Sequence, residues 1–125
     1  MAFDQSQSVK ITLVASADLT TSFGKFVKMT AGQAAAVTAT TDRVIGVLCN
    51  KPKLGQEAEI LVLGTVKIVG SAAMAVGDSV AISADGRAAT ALNTVGLANL
   101  GTVLLANSAA NGFVTALVNC VNQTR

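Results

Sequence analysis

Residues 57–69 have the sequence EAEILVLGTVKIV, the longest run in the chain that is typical of an extended strand. Its positions alternate with a period of two, so one face would carry Ala58, Ile60 and Val62 and the other Glu57, Glu59, Leu61 and Leu63. Gly64 interrupts the run and predicts a bulge or bend, after which the strand continues to Val69.

The same period of two recurs on both sides of this stretch. Further extended segments are predicted at residues 9–14, 23–29, 44–49, 79–83, 87–91, 101–106 and 113–118. Residues 34–40 fit either another extended segment or a short Ala-rich helix. No helix-capping residue in the sequence is followed by apolar residues that repeat with the helical period of 3.6. The pattern predicts an all-β fold, a single small β-barrel or β-sandwich with hairpins.

Two dipeptides between these segments predict hairpin turns. Asp85-Gly86 separates the segments at 79–83 and 87–91, and Asn111-Gly112 separates those at 101–106 and 113–118. Both sequences are favoured in type I′ turns, which require positive φ at the two central residues. We therefore assign Asp85, Gly86, Asn111 and Gly112 a structural role in turns.

The chain of 125 residues is long enough for one ordinary domain, and it contains neither an internal repeat nor a linker. We predict a flexible N-terminal arm at 1–8 and a single β domain at 9–125. The arm has neither the basic nor the apolar segment of a signal peptide. Residues 88–124 carry no charge, but Asn and Gly interrupt every apolar run before the ~20 residues of a membrane span, so no membrane partner is expected.

The composition argues against most catalytic chemistry. The chain has no His, so an imidazole base and a His-ligated metal are excluded, and no phosphate-binding glycine motif occurs. Glu57 and Glu59 share a strand face and are expected to be solvated charges beside Lys53. A hydrolase using only Asp or Glu would need two convergent carboxylates in a pocket. Asp42, next to Arg43 in a polar break, needs no chemical role. We expect a protein that is not an enzyme, with no catalytic residue, metal or cofactor.

Charge and cysteine content limit the partners further. The formal net charge of +2 comes without clustered Lys or Arg, so nucleic acid is not an expected partner. Cys49 and Cys120 are interpreted as small buried hydrophobes, and a disulfide is open only if the fold brings them together.

The composition also bears on how the surface of such a protein is covered. Only 13% of residues are charged, and Ala and Val dominate the apolar ones. A β-protein of this kind must cover its sheet edges and apolar patches, which a closed oligomer or a larger shell would do. The composition therefore indicates a structural part. The alternative is a β-domain that binds a small ligand or a host-surface glycan, although the absence of Trp and Tyr counts against a sugar site.

Eight short segments follow one another in an order that carries a family resemblance. They are VIGV (44–47), NKP (50–52), GQEAEI (55–60), GTVKI (64–68), AVGDSV (75–80), SADGRA (83–88), GTVLLA (101–106) and FVTALV (113–118). Together they resemble the capsid cement or head decoration proteins of tailed bacteriophages, over roughly residues 40–118.

The resemblance implies a structural virion protein, made in the host cytoplasm, that binds the outer surface of the mature capsid and stabilises the major capsid protein lattice. It also implies a homotrimer and no catalysis. The N-terminal arm of such proteins commonly orders on the capsid, so the candidate contacts are Phe3, Asp4, Gln5 and Ser6. Lys51 and Lys53, which flank Pro52 on a loop, are expected to be solvated or to lie at an interface, and are further candidates. The charge-free C-terminal strands are the candidate subunit interface.

Overall fold

The computed structural model describes residues 8–90, 100–107 and 109–120, and β-strands dominate these ranges. The strands are β1 (Val9–Val14), β2 (Phe26–Thr30), β3 (Gln33–Ala36), β4 (Val44–Leu48), β5 (Glu57–Val69), β6 (Ser79–Ile82), β7 (Ala88–Thr90), β8 (Gly101–Leu105) and β9 (Phe113–Asn119). A short 3₁₀ helix covers Thr20–Ser22. The all-β prediction is confirmed. The helix considered for 34–40 is wrong, because residues 33–36 pair with β2.

All nine strands belong to one antiparallel sheet, which curls into a half-barrel. The strand order is β3-β2-β4-β5-β9-β8-β6-β7, and β1 also pairs with β5. β1 and β9 follow one another along the same edge of β5, because β4 occupies the other edge. They meet opposite Leu63, which pairs with both Val9 and Asn119.

β2 begins three residues later than the sequence predicts. Residues 23–25 form a turn after the 3₁₀ helix, since Gly24 has a φ of +77° and this left-handed conformation interrupts an extended strand. At the start of β2, Phe26 and Val27 are both buried and belong to different apolar clusters. Phe23 is thereby placed outside the strand and on the surface.

The two clusters lie on opposite faces of β2, β4 and β5, because consecutive residues of these strands alternate between them. The larger cluster contains Phe26 and Leu61 and extends over β6, β8 and β9. The smaller contains Val27 and Ile60 and is covered by the segment after β1, through Leu19. The central strands are buried on both faces, whereas β8 and β9 have only one face in the core.

The hairpin at Asp85-Gly86 is confirmed, but its turn type is not. β6 and β7 are antiparallel neighbours joined by residues 83–87, and of the two central residues only Gly86 has positive φ (+87°). The Gly86 N–H donates to the Ser83 carbonyl at 3.1 Å. The prediction of type I′ is therefore wrong, because a longer loop needs a single left-handed residue. A Cβ at Gly86 would lie 2.7 Å from the Phe26 carbonyl oxygen, so the site requires glycine for space as well.

The connection between β8 and β9 differs in the same way. The strands are antiparallel neighbours, but Asn111 alone of the predicted pair has positive φ (+66°), and the loop spans residues 106–112, of which 108 lies outside the described residues. The Asn107 side chain organises this loop. Its Oδ1 accepts from the Met74 N–H at 2.7 Å, and its Nδ2 lies 2.8–3.2 Å from the carbonyl oxygens of Ala72, Ala109 and Gly112.

Replacing Asn107 tests this arrangement. Met74 is only 3% exposed, so Asn107→Ala leaves a buried N–H without its acceptor. We expect the free energy of unfolding, measured by urea denaturation, to fall by about 1–3 kcal/mol. The control Gln33→Ala removes an exposed amide from edge strand β3 and should change it by less than about 0.5 kcal/mol. Equal losses in the two variants would contradict the role given to Asn107.

Candidate interaction surfaces

Most carboxylates of the described residues take part in structural contacts. Glu59 pairs with Lys10, with 2.8 Å between Oε1 and Nζ, and both side chains are about half exposed. Its partner is thus Lys10 on the neighbouring strand rather than the predicted Lys53. Over residues 8–90, 100–107 and 109–120, no group of three or more Asp, Glu, Cys or His side chains is arranged to hold a metal ion. In the same ranges no helix has the length and apolarity to cross a membrane.

Asp42 anchors the segment that follows β3. Its carboxylate accepts hydrogen bonds from the N–H groups of Thr38 and Ala39, at 2.9 and 3.1 Å, and from Lys28 Nζ at 3.0 Å. The Thr38 N–H and the Lys28 ammonium lower the pKa of Asp42 to about 2. This is a structural role: the carboxylate ties a loop to β2.

The predicted turn residues are brought together by the fold. Asp85 forms an ion pair with Arg87 at 2.9 Å, and Arg87 Nη1 donates to Asn111 Oδ1 at 3.0 Å. Burial by itself raises the pKa of Asp85, but hydrogen bonds from Ser83 and Arg87 outweigh it and lower the pKa to about 2. The two loops are therefore bridged, and their polar side chains serve the fold.

The candidate contacts of the N-terminal arm lie outside the described residues. They are Phe3, Asp4, Gln5 and Ser6. The described chain begins at Ser8, which packs against Gly64: a Cβ on this glycine would lie 2.7 Å from Ser8 Oγ. Gly64 has a φ of +135°, which agrees with the predicted irregularity within β5. Ser8 thus lies beside the middle of β5.

The loop with the other two candidates is firmly attached. The Pro52 carbonyl accepts from the Leu19 N–H at 2.9 Å, and the Asn50 side chain bonds the backbone at both Glu57 and Glu59, each at 3.0 Å. Lys51 and Lys53 are exposed on this loop.

Lys51 extends over an aromatic ring. Its Nζ lies 5.5 Å from the ring centroid of Phe23, within the range of a cation–π interaction. This contact could not be predicted from the sequence, since the two residues belong to separate loops.

β8 and β9 present an apolar face to the outside of the half-barrel, as far as the described residues extend. Leu105, Phe113 and Leu117 are 56%, 49% and 48% exposed, and the two strands carry no charged residue. Thr102 and Thr115 lie between them on the same face, opposite Leu117 and Leu105 in the pairing. We call this set the outer apolar face. It coincides with the strands that the sequence marks as a subunit interface.

A shallow depression adjoins this face. It has a volume of about 160 Å³ and is lined by Phe23, Gly24, Leu48, Cys49, Val66 and Lys67. The Phe113 ring lies against Gly24, since a Cβ there would be 2.9 Å from Phe113 Cε1, and this joins the depression to the outer apolar face. We call it the Phe23 depression. Sequence reasoning missed Phe23 and Lys67 as surface candidates.

A second groove of about 400 Å³ has an entirely different lining. It is formed by Ile11, Met29, Arg43, Val44, Ile45, Val62 and Cys120. Arg43 is the charged residue among them.

The two cysteines do not form a disulfide. Cys120 is buried, as predicted, and burial raises its pKa to about 12. Cys49 is half-buried at the Phe23 depression, and burial raises its pKa as well. Cys49 is therefore the more accessible thiol and a natural reporter for that depression.

Two solved structures share this fold over nearly the whole chain. The N base of head fiber gp8.5 of bacteriophage phi29 matches with a TM-score of 0.64 and 14% identity, over 95% of this chain and 99% of that chain. A chain from the capsid of Myoviridae phage XM1 matches with a TM-score of 0.70 and 19% identity, over 95% of this chain and 88% of that chain. No family model and no curated protein matches the sequence. At the level of the fold, these structures support the resemblance to phage head proteins drawn from the sequence.

Proposed function

We propose that this protein is a structural component of a phage virion that binds the outer surface of the mature head and stabilises the lattice of the major capsid protein. The observation that carries the proposal is the fold likeness to two proteins of phage heads, which extends over 95% of the chain. The likeness also spans almost all of each neighbour, so it concerns whole units rather than one shared motif.

The surface of the chain supports a binding role without catalysis. The described carboxylates with resolved partners serve loops, turns and a strand pair, and β8 and β9 place Leu105, Phe113 and Leu117 together on one exposed face. Burying such side chains contributes roughly 25 cal/mol per Å² of apolar area. A protein that binds only the expanded lattice stabilises it by mass action, and the contacts add up over a shell.

In this proposal the protein is a homotrimer that self-associates through the outer apolar face. Residues 9–125 act as one domain, and the arm at 1–8 contacts the capsid together with the loop of Lys51 and Lys53. The protein is made in the host cytoplasm and located on the outer capsid surface. Neither nucleic acid nor membrane is a partner, and no cofactor takes part.

The outer apolar face can be tested by one substitution. Leu117→Ser places a hydroxyl at its centre and should convert a trimer into a monomer, because the apolar area buried between copies is lost. Sedimentation velocity over a range of protein concentrations measures the change. Val76→Ser, at a side chain that is 65% exposed on a loop, is the matched control and should remain trimeric. A Leu117→Ser protein that is still a trimer would place the subunit interface elsewhere.

Co-sedimentation tests the function itself. Purified protein is mixed with expanded heads stripped of it and, in parallel, with unexpanded procapsids of the same phage. We expect saturable binding to the expanded heads alone, with a stoichiometry of one trimer per three-fold lattice position. The heads should then withstand higher temperatures before they rupture.

A variant with residues 2–8 deleted tests the arm in the same assay. It should keep the fold, since the described strands begin at Val9, and should bind expanded heads more weakly. If this variant binds expanded heads as strongly as the intact protein does, the arm does not contribute to capsid binding. If the intact protein binds neither expanded heads nor procapsids, the capsid proposal is contradicted and the ligand-binding alternative is favoured.

A further inference from the structure

The Phe23 depression has positive charge at its rim, and no carboxylate of the described residues forms an ion pair with it. Lys51 lies over the ring of Phe23, and Lys67 lines the depression. The ion pairs among the described residues are Lys10–Glu59, Lys28–Asp42 and Arg87–Asp85, so neither rim lysine belongs to one.

Two further charges close to the depression neutralise each other. Lys10 and Glu59 both lie near Cys49, one of its lining residues, and they are paired with each other at 2.8 Å. Of the charged residues that line the depression or lie over its rim, Lys51 and Lys67 have no ion-pair partner among the described residues. Their ammonium groups retain hydrogen-bond donors for a partner, since a cation–π contact uses none of them.

The interior of the depression is apolar. Leu48 forms part of its lining and is only 1% exposed, Val66 packs against the larger core cluster, and Phe23 is 39% exposed. A volume of about 160 Å³ has room for one apolar side chain. The depression thus combines a small apolar recess with a cationic rim.

We propose that the Phe23 depression docks an acidic surface segment of the major capsid protein, in which an apolar side chain enters the recess and flanking carboxylates meet Lys51 and Lys67. This rests on the proposed function and names the chemistry of the partner surface. Charge complementarity favours this occupant over the outer apolar face of a second copy, because β8 and β9 carry no carboxylate that could meet the two lysines. Two lysines are too few for the clustered basic surface that nucleic acid requires.

The site has a definite relation to the outer apolar face. Gly24 and Phe113 form the boundary between the two surfaces. A trimer formed through β8 and β9 would therefore hold its Phe23 depressions next to the subunit contacts, where they can engage neighbouring capsid proteins.

The first test uses expanded heads and neutral variants. Lys51→Gln and Lys67→Gln should each weaken binding about three- to fivefold, and should make the affinity less sensitive to salt, because exposed charge pairs are worth up to about 1 kcal/mol each and are screened by ions. Arg43→Gln is the matched control, since it removes one exposed cation from the separate groove, and should bind within about twofold of the original protein.

The second test does not depend on heads. The probe is the peptide acetyl-Asp-Glu-Leu-Asp-Glu-amide, and the readout is the rate at which iodoacetamide alkylates Cys49, followed by mass spectrometry. Binding in the depression should slow this reaction severalfold, while the neutral peptide acetyl-Asn-Gln-Leu-Asn-Gln-amide should have no effect. Lys51→Gln/Lys67→Gln should abolish the protection. The alkylation rate of the buried Cys120 is the internal control, and neither peptide should change it.

The outcomes separate this inference from the proposed function. Head binding that is unchanged in Lys51→Gln and Lys67→Gln would overturn the docking site and leave the capsid function standing. Equal protection of Cys49 by the acidic and neutral peptides would also overturn it. Protection by the acidic peptide alone, without any binding of the original protein to heads, would support the acidic docking site and contradict the capsid function.

Discussion

The hydrogen-bonded ladder along β5 organises the rest of the structure. β4 lies on one edge of this thirteen-residue strand, and β1 and β9 follow one another along the other. β9 is bound to the second half of β5, whereas β1 is bound to the first half. β1 therefore does not cover the outward face of β9. No α-helix within the described ranges lies over it either. β8 and β9 therefore have only one face in the core, and Leu105, Phe113 and Leu117 remain exposed.

The same ladder positions the Phe23 depression. The Gly24 N–H donates to the Leu48 carbonyl at 3.0 Å, and its own carbonyl accepts from the Val69 N–H at 2.8 Å. This bridge between β4 and β5 holds Phe23 at the edge of the outer apolar face and next to Lys67. An exposed apolar surface of this kind thus follows from backbone pairing. Binding and self-association are functions that such a surface supports directly.

Prediction from the sequence succeeded where the signal is local. The alternation over residues 57–69 predicted β5 with the bounds that the structure has, and the Asp-Gly and Asn-Gly dipeptides identified two antiparallel strand pairs. It failed where the cause is distant in sequence. The turn types depend on loop length, and the start of β2 depends on Gly24. The Asn107 side chain bonds backbone groups of Ala72 and Met74, more than thirty residues away, as well as nearby ones. Lys51 was a candidate, but its neighbour Phe23 comes from another loop, and Lys67 looks like any solvated strand residue.

Electron cryomicroscopy of expanded heads decorated with this protein tests the central claim most directly. We predict ordered density on the outer surface that bridges neighbouring copies of the major capsid protein, with the Lys51 loop and the Phe23 depression facing the shell. Density confined to the tail or the interior, or heads without ordered external density at saturating protein, would contradict a role in stabilising the capsid lattice.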